Sequence, residues 1–243
     1  MIAIKINNLR KEYKDVVAVN DLSLDIKEGE LFSLLGVNGA GKTTTIKMLA
    51  TLTKPTSGEA FVYDYSLEEG DKIKEIIDIS MQETAVARKL TVEENIEFYA
   101  ELSGQNKEEI ENSKEYAYKV LDLEKVKTKQ ACKLSGGWQR KLSIALALIS
   151  KPKVLFLDEP TLGLDVLARR ELWNVIKELK SKMTIILTTH YMEEAEALSD
   201  RIGIMKDGNL LFVGTKEELF LKTNKKNVED SFVEIVTGGV ENE

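Results

Sequence analysis

With 243 residues, 43% of them apolar, the chain can fill the core of one sizeable domain or two small ones and reads as globular. Its formal charge of −7, with Lys and Glu interspersed along the chain, excludes a broad nucleic-acid-binding surface, so phosphate binding must be local. The lone Cys132 cannot close an internal bridge and no leader pattern precedes the first strand, so a reducing cytoplasm is expected; the longest apolar runs, Ile144–Ile149 and Val154–Leu157, fall short of the roughly 18 residues a bilayer span requires.

The opening alternates. Ile2, Ile4 and Ile6, then Leu22, Leu24 and Ile26, are separated by polar residues, which predicts half-buried antiparallel strands. Leu31–Leu35 is a short apolar strand that runs into the Gly-rich turn Gly36–Gly41, and Lys42–Leu52 follows with helical spacing. From about Glu83 to Ser150 the spacing is helical almost throughout, with helices over Leu90–Leu102 and Glu108–Leu123 and a further one starting near Trp138. A second strand–helix unit follows: Val154–Leu157, a helix over Val166–Lys180, and the β-branched run Thr184–Thr188. Strands alternating with helices imply a mainly parallel sheet covered on both faces. Beyond His190 come a short helix, two small strands joined by Asp207-Gly208, a Lys-rich segment Lys222–Lys226 and a closing helix over Glu229–Val236.

Gly36-Val37-Asn38-Gly39-Ala40-Gly41-Lys42-Thr43 has the spacing of a P-loop: Gly, four residues, then Gly-Lys-Thr. Glycines let backbone N–H groups close around phosphate oxygens at a helix N-terminus, where the helix dipole favours anions. Lys42 is placed to bridge the β- and γ-phosphates, and the Thr43 hydroxyl to ligate Mg²⁺. Val154–Leu157 ends in Asp158-Glu159 at the edge where a parallel sheet binds its ligand, which assigns Asp158 to Mg²⁺ through its water shell and Glu159 to polarising the attacking water. In Leu134-Ser135-Gly136-Gly137, Ser135 is a candidate N-cap and the glycines leave amides open.

Taken in this order, these motifs resemble the nucleotide-binding subunit of ATP-binding cassette (ABC) transporters, from Met1 to about Thr215. The resemblance implies an α/β fold: a P-loop NTPase core with a mainly parallel sheet, an N-terminal antiparallel β subdomain and an inserted helical subdomain over about 83–150. A single nucleotide-binding domain would span 1–215, with a short helical extension over 216–243. It further implies two copies, identical or paralogous, facing head to tail. Ser135, Gly136 and Gly137 of one copy then contact the γ-phosphate on the other copy's P-loop, where Gly36, Asn38, Gly39, Ala40, Gly41, Lys42, Thr43 and Thr44 bind ATP. Tyr13 stands where an aromatic stacks on adenine, and Gln82 in the Q-loop, with a share in Mg²⁺ binding and catalysis. Asp165 of Gly163-Leu164-Asp165 stands in the D-loop, and His190 in the switch position, contacting the γ-phosphate. Trp138 departs from the pattern, taking the place of a common Gln, which bears on how firmly the pair closes or couples to its partner; the basic residues Arg140 and Lys141 are shifted in character from the usual run. Val166 stands where Pro is frequent.

Leu90–Asn95, Phe98–Leu102 and His190–Glu196 resemble bacterial exporters of drugs, sodium or polysaccharide, and only 28 residues follow Thr215 (243 minus 215), fewer than the regulatory domain common in sugar importers. The expected function is ATP hydrolysis coupled to transport through a separate membrane-spanning chain, with the protein held at the inner face of the cell membrane and no nucleic acid bound. A soluble cassette ATPase acting on ribosomes or DNA is the alternative; one P-loop and no long heptad run count against it. A sensor without turnover would not need Asp158, Glu159 and His190.

Overall fold

The computed structural model describes residues 1–238, so the last five residues of the extension expected over 216–243 lie outside the described residues. In chain order, β1 (Ile2–Tyr13), β2 (Val16–Lys27) and β3 (Leu31–Leu35) lead into α1 (Lys42–Leu49). Next come β4 (Ser57–Val62), β5 (Tyr65–Ser66), α2 (Gly70–Lys74) and β6 (Ile77–Ser80). Three helices follow: α3 (Val92–Leu102), α4 (Lys107–Leu121) and α5 (Gly136–Leu148). The chain continues with β7 (Val154–Asp158), α6 (Val166–Lys180), β8 (Thr184–Thr189), α7 (Met192–Leu198), β9 (Arg201–Lys206) and β10 (Asn209–Gly214), and then α8 (Lys216–Thr223) and α9 (Val228–Thr237).

Two sheets form. The first is antiparallel, in the order β2-β1-β4-β5; Ile4, Ile6, Leu22 and Ile26 are buried from it, while Ile2 at its end is exposed. The second runs β10-β9-β3-β8-β7-β6, parallel throughout except for the β9–β10 hairpin. Its central strands are buried on both faces, and alternation sorts their side chains between two cores. Leu155, Leu157, Ile185 and Leu187 face the core shared with α3, α4 and α5, whereas Val154, Phe156 and Ile186 face the core shared with the antiparallel sheet. Such two-sided burial explains why these strands read as unbroken apolar runs. Leu219, Val228 and Phe232 of the last two helices join Leu35, Ile202 and Ile204 in a third core.

Local chemistry sets the helix limits. Capping boxes start α3 at Thr91 with Glu94 and α4 at Asn106 with Glu109. The helix expected over Lys42–Leu52 stops at Leu49, because Thr51 takes a left-handed φ of 58° and the Leu52 N–H bonds back to the Lys47 carbonyl at 2.8 Å. α5 starts at Gly136, earlier than the expected Trp138. No pattern in the sequence marks β4, β5, α2 or β6: Ser57-Gly58-Glu59 carries no apolar alternation, and β6 has only four residues.

Candidate nucleotide site

Parallel pairing sets Leu35 opposite Thr189 and Asp158 opposite Thr188, so β3, β7 and β8 end together at one edge of the sheet. The residues that follow these ends, Gly36, Glu159 and His190, therefore emerge side by side although they are far apart in sequence. This is the edge at which open α/β sheets hold their ligands.

Two of the loop glycines are required for different reasons. A Cβ on Gly36 would lie 2.6 Å from the Met205 carbonyl oxygen, so the loop packs directly on the β9 backbone. Gly41 has φ 105°, and a Cβ there would collide with the Ala18 carbonyl. Gly41 is also the N-cap of α1, whose first-turn N–H groups have no acceptor within the helix, an arrangement that suits an anion. The buried Lys42 ammonium donates to the carbonyls of Gly36 (2.7 Å) and Val37 (3.2 Å) and lies 3.3 Å from Glu159 Oε1.

Asp158 is fully buried, and its carboxylate accepts from two hydroxyls. Thr43 Oγ1 donates to both of its oxygens, at 3.0 and 3.1 Å, and Thr188 Oγ1 donates to Oδ1 at 2.5 Å. Glu159 occupies a left-handed φ of 48°, uncommon for a residue with a side chain and costly unless its neighbours hold it. They do: its N–H donates to the carbonyl and hydroxyl oxygens of Thr188, each at 3.1 Å. Its side chain lies between two cationic or donor groups, with Lys42 at Oε1 and His190 Nδ1 2.6 Å from Oε2. A carboxylate only accepts, so Nδ1 carries the proton and Nε2 is left facing away from Glu159.

Tyr13, Gln82, Glu159 and the loop from Asn38 to Thr44 line one cavity of about 640 Å³. Tyr13, at the end of β1, is 46% exposed, and Lys11 Nζ lies 4.8 Å from its ring centre, leaving aromatic surface free. Gln82 is exposed in the loop after β6.

Ser135, Gly137 and Asp165 stand elsewhere. Together with Trp138, Leu164, Lys141 and Glu171 they line a second cavity of about 300 Å³ that shares no lining residue with the first. Ser135 occupies the N-cap position of α5, but its hydroxyl makes no capping bond, which corrects the expected cap. Instead, Gln139 steadies the loop by donating to the Ala131 and Leu134 carbonyls, both at 3.1 Å. Gly136 is exposed at the same helix start. The Asp165 carboxylate caps α6, accepting from the N–H groups of Leu167 (2.9 Å) and Ala168 (3.0 Å). Trp138 is engaged within its own chain: Lys141 Nζ sits 4.7 Å from its ring centre and pairs with Glu171 at 3.0 Å.

Among known proteins, the family model described as ABC transporter matches residues 19–162. The chain belongs to the ABC transporter family. The cassette is 43% identical over 224 residues to a human protein named phospholipid-transporting ATPase ABCA3, covering 90% of this chain and 13% of the relative. It is 42% identical over 250 residues to ABC transporter A family member 8 of Arabidopsis thaliana, covering 99% of this chain and 27% of the relative. It thus spans a small part of the curated relatives it matches. Among solved structures, an ATP-binding subunit of an ABC transporter superimposes with a TM-score of 0.85 at 27% identity, over 96% of this chain and 99% of that one. The ATP-binding cassette MJ0796, a dimer in a post-hydrolysis state bound to ADP and Pi, gives a TM-score of 0.79 at 28% identity, over 87% of this chain and 98% of that one. The α/β architecture expected from the motifs is therefore that of the cassette family.

The oxygens of Thr43 and Asp158, with Gln82 lining the same cavity as Thr43, are hard donors that suit Mg²⁺. Thr43 Oγ1 and the Asp158 carboxylate stand within hydrogen-bond distance, a donor set that fits an ion held by few protein oxygens and completed by phosphates and water. Sequence reasoning missed Thr188, whose hydroxyl orients both Asp158 and Glu159; a Thr one residue short of a strand end that faces a carboxylate strand was the available signal. It also left Arg140 without a role.

Proposed function

We propose that this cassette binds and hydrolyses ATP, and that closure and reopening of a pair of cassettes, identical or paralogous, drives a membrane-spanning exporter partner. The observation that carries the reading is the Glu159 carboxylate held between Lys42 and His190 beside the buried Asp158. The loop amides and Lys42 receive the β- and γ-phosphates of ATP, whose adenine stacks on Tyr13. Glu159 accepts a proton from a water aligned with the γ-phosphorus; the new P–O bond forms as the β–γ bridge breaks, and the electron pair leaves with ADP. His190 holds Glu159 through Nδ1 and turns its far side to the γ-phosphate. Bound through Thr43, Asp158 and Gln82, Mg²⁺ would neutralise charge developing on the β- and γ-oxygens. This chemistry needs placement more than covalent assistance, which a rigid sheet edge supplies.

Separation of the two cavities supports completion of the site by a second copy, in which Ser135, Gly136, Gly137 and Asp165 close over the partner's nucleotide. The human relative, a protein named phospholipid-transporting ATPase, supports a phospholipid or similar amphiphile as cargo. We read 1–215 as the nucleotide-binding domain, with 83–150 as its helical insert and 216–243 as an extension. The membrane partner, expected on a separate chain, would hold the protein at the inner face of the membrane.

Glu159→Gln should bind ATP, lose at least about 100-fold in turnover, the low end of what a general base contributes, and run as an ATP-dependent dimer in size-exclusion chromatography with light scattering. Wild-type turnover in that variant would refute the base assignment. Tagging the chain in its native cell and solubilising the membranes should copurify a membrane-spanning protein; ribosomal or DNA-repair components alone would overturn the transport reading.

A further inference from the structure

One turn into α5, Arg140 is only 4% exposed, yet it pairs with no carboxylate among the described residues. Its guanidinium reaches three backbone carbonyls on two separate segments instead. Nη1 donates to Met81 at 2.6 Å, and Nη2 donates to Gln82 at 2.8 Å and to Glu159 at 3.4 Å. Farther along the same helix, the Ser143 hydroxyl bonds that of Ser80 at 3.0 Å, so α5 grips both β6 and the loop that carries Gln82.

This placement is costly. Burial pushes the guanidinium's pKa down from its ordinary value, countered only by the charges of Asp158 and Glu194. A planar fork that spreads fixed donors over two nitrogens suits such a site, where the acceptors lie on two separate segments. The bonds are also unequal. Those to the Gln82 loop are short, while the one to Glu159 is near the limit of a hydrogen bond, so a shift of a few tenths of an ångström either tightens or breaks it. Glu159 sits in its strained left-handed conformation with its N–H fixed by Thr188, and its carbonyl accepts both from the Leu162 N–H at 3.2 Å, within the turn, and from Arg140, which ties that turn to α5. Since α5 begins at Gly136 and helices are stiff, movement of the Ser135–Gly137 loop carries Arg140 with it, about 6 Å along the axis.

We propose that Arg140 is a positioning residue: it latches the Gln82 loop and the Glu159 turn to the start of α5, so that the carboxylate is aligned for proton transfer only when the Ser135–Gly137 loop is seated. The inference rests on the reading of Glu159 as the base. Arg140 acts on the geometry of the reacting group and not on the capture of nucleotide.

The test uses Arg140→Lys, which keeps the charge but offers one donor point, and Arg140→Gln, which keeps two donors on a shorter neutral stem. Each is compared with the wild-type chain in melting temperature, ATP affinity, kcat and amide hydrogen exchange with Mg–ATP. Both variants should melt near the wild type and bind ATP within about threefold of it, while kcat falls about 10- to 100-fold, the size a misplacement of about 1 Å produces. Exchange across 81–84 should quicken in the variants with nucleotide bound, whereas nucleotide protection of 42–49 stays. A kcat within twofold of wild type in both folded variants overturns the proposal. So does a joint fall of melting temperature, ATP affinity and kcat in both, which would mark a merely structural residue. If the wild-type chain itself protects 42–49 but never turns ATP over, the ATPase reading fails instead, and unaltered exchange across 81–84 in the variants would still overturn the latch.

Discussion

The two cavities are built on opposite principles. Around the P-loop the polar groups are buried or half-buried and mutually bonded: Lys42, Thr43, Asp158, Glu159, Thr188 and His190 form one connected set, and it holds Glu159 in a backbone conformation the residue would not choose alone. Around Ser135 the reverse holds. That hydroxyl is exposed and makes no capping bond, and the nearby Asp165 is occupied with capping its own helix. The first surface is organised in advance by its own chain, at the expense of strain and buried charge. The second presents free donors that the chain itself does not use, which suits a surface completed from outside.

The sharpest way to break this contrast is Lys42→Ala. Removing a buried ammonium that serves the phosphate loop should weaken ATP binding about 100-fold, as loss of a charge-assisted bond of about 2.7 kcal/mol implies, and abolish measurable turnover. Equilibrium binding of a fluorescent ATP analogue checks it; unchanged affinity would mean the P-loop cavity is not where nucleotide is captured.

Ser135→Arg probes the other surface and should behave differently. An exposed side chain that makes no capping bond can be enlarged without loss of fold, so melting temperature and ATP affinity of the single chain should stay near wild type. Turnover should fall about 100-fold, comparable to the loss of a preorganised donor at a reacting oxygen. A matching loss of ATP affinity would place Ser135 on the capture side and erase the distinction.

The smallest expected effect concerns the contact between α6 and α7. Glu194 of α7 is fully buried and accepts from Trp173 Nε1 of α6 at 3.0 Å. Burial pushes its carboxyl above the ordinary 4.5, with the Trp173 hydrogen bond opposing. The folded chain thus holds this proton more tightly than the unfolded one. Its contribution to stability is greatest below pH 4.5 and declines as pH rises through the folded-state value. Glu194→Gln should therefore raise the melting temperature by a few degrees at pH 8, with the gain shrinking toward pH 4; a constant gain across that range would remove burial of charge as the cause.

Much of the architecture was legible because it is written in short contiguous stretches. The helix Val166–Lys180 and the strands around Val154 and Thr184 fall where periodicity puts them, since apolar runs bounded by turn residues have one stable use in a two-layered core. β4 and β6 were not legible: a four-residue edge strand and a strand opening on Ser-Gly-Glu draw their order from neighbours already in place. In the same way Ser135 carried the signal of a cap, but nothing local reveals that its hydroxyl stays free while Gln139 does the bracing.

The sequence by itself determined the family-level chemistry: a glycine-spaced loop ahead of a helix, a buried strand ending in two carboxylates, and a lone histidine closing another strand. Each is a local pattern whose backbone requirements leave few alternatives. Only the tertiary structure decided which side chains act as a unit. Thr43 and Asp158 are 115 positions apart, Arg140 and Met81 59, and Thr188 and Asp158 30. Contacts at such separations arise from parallel strand register and from the packing of α5 against β6, and no single stretch of sequence contains either.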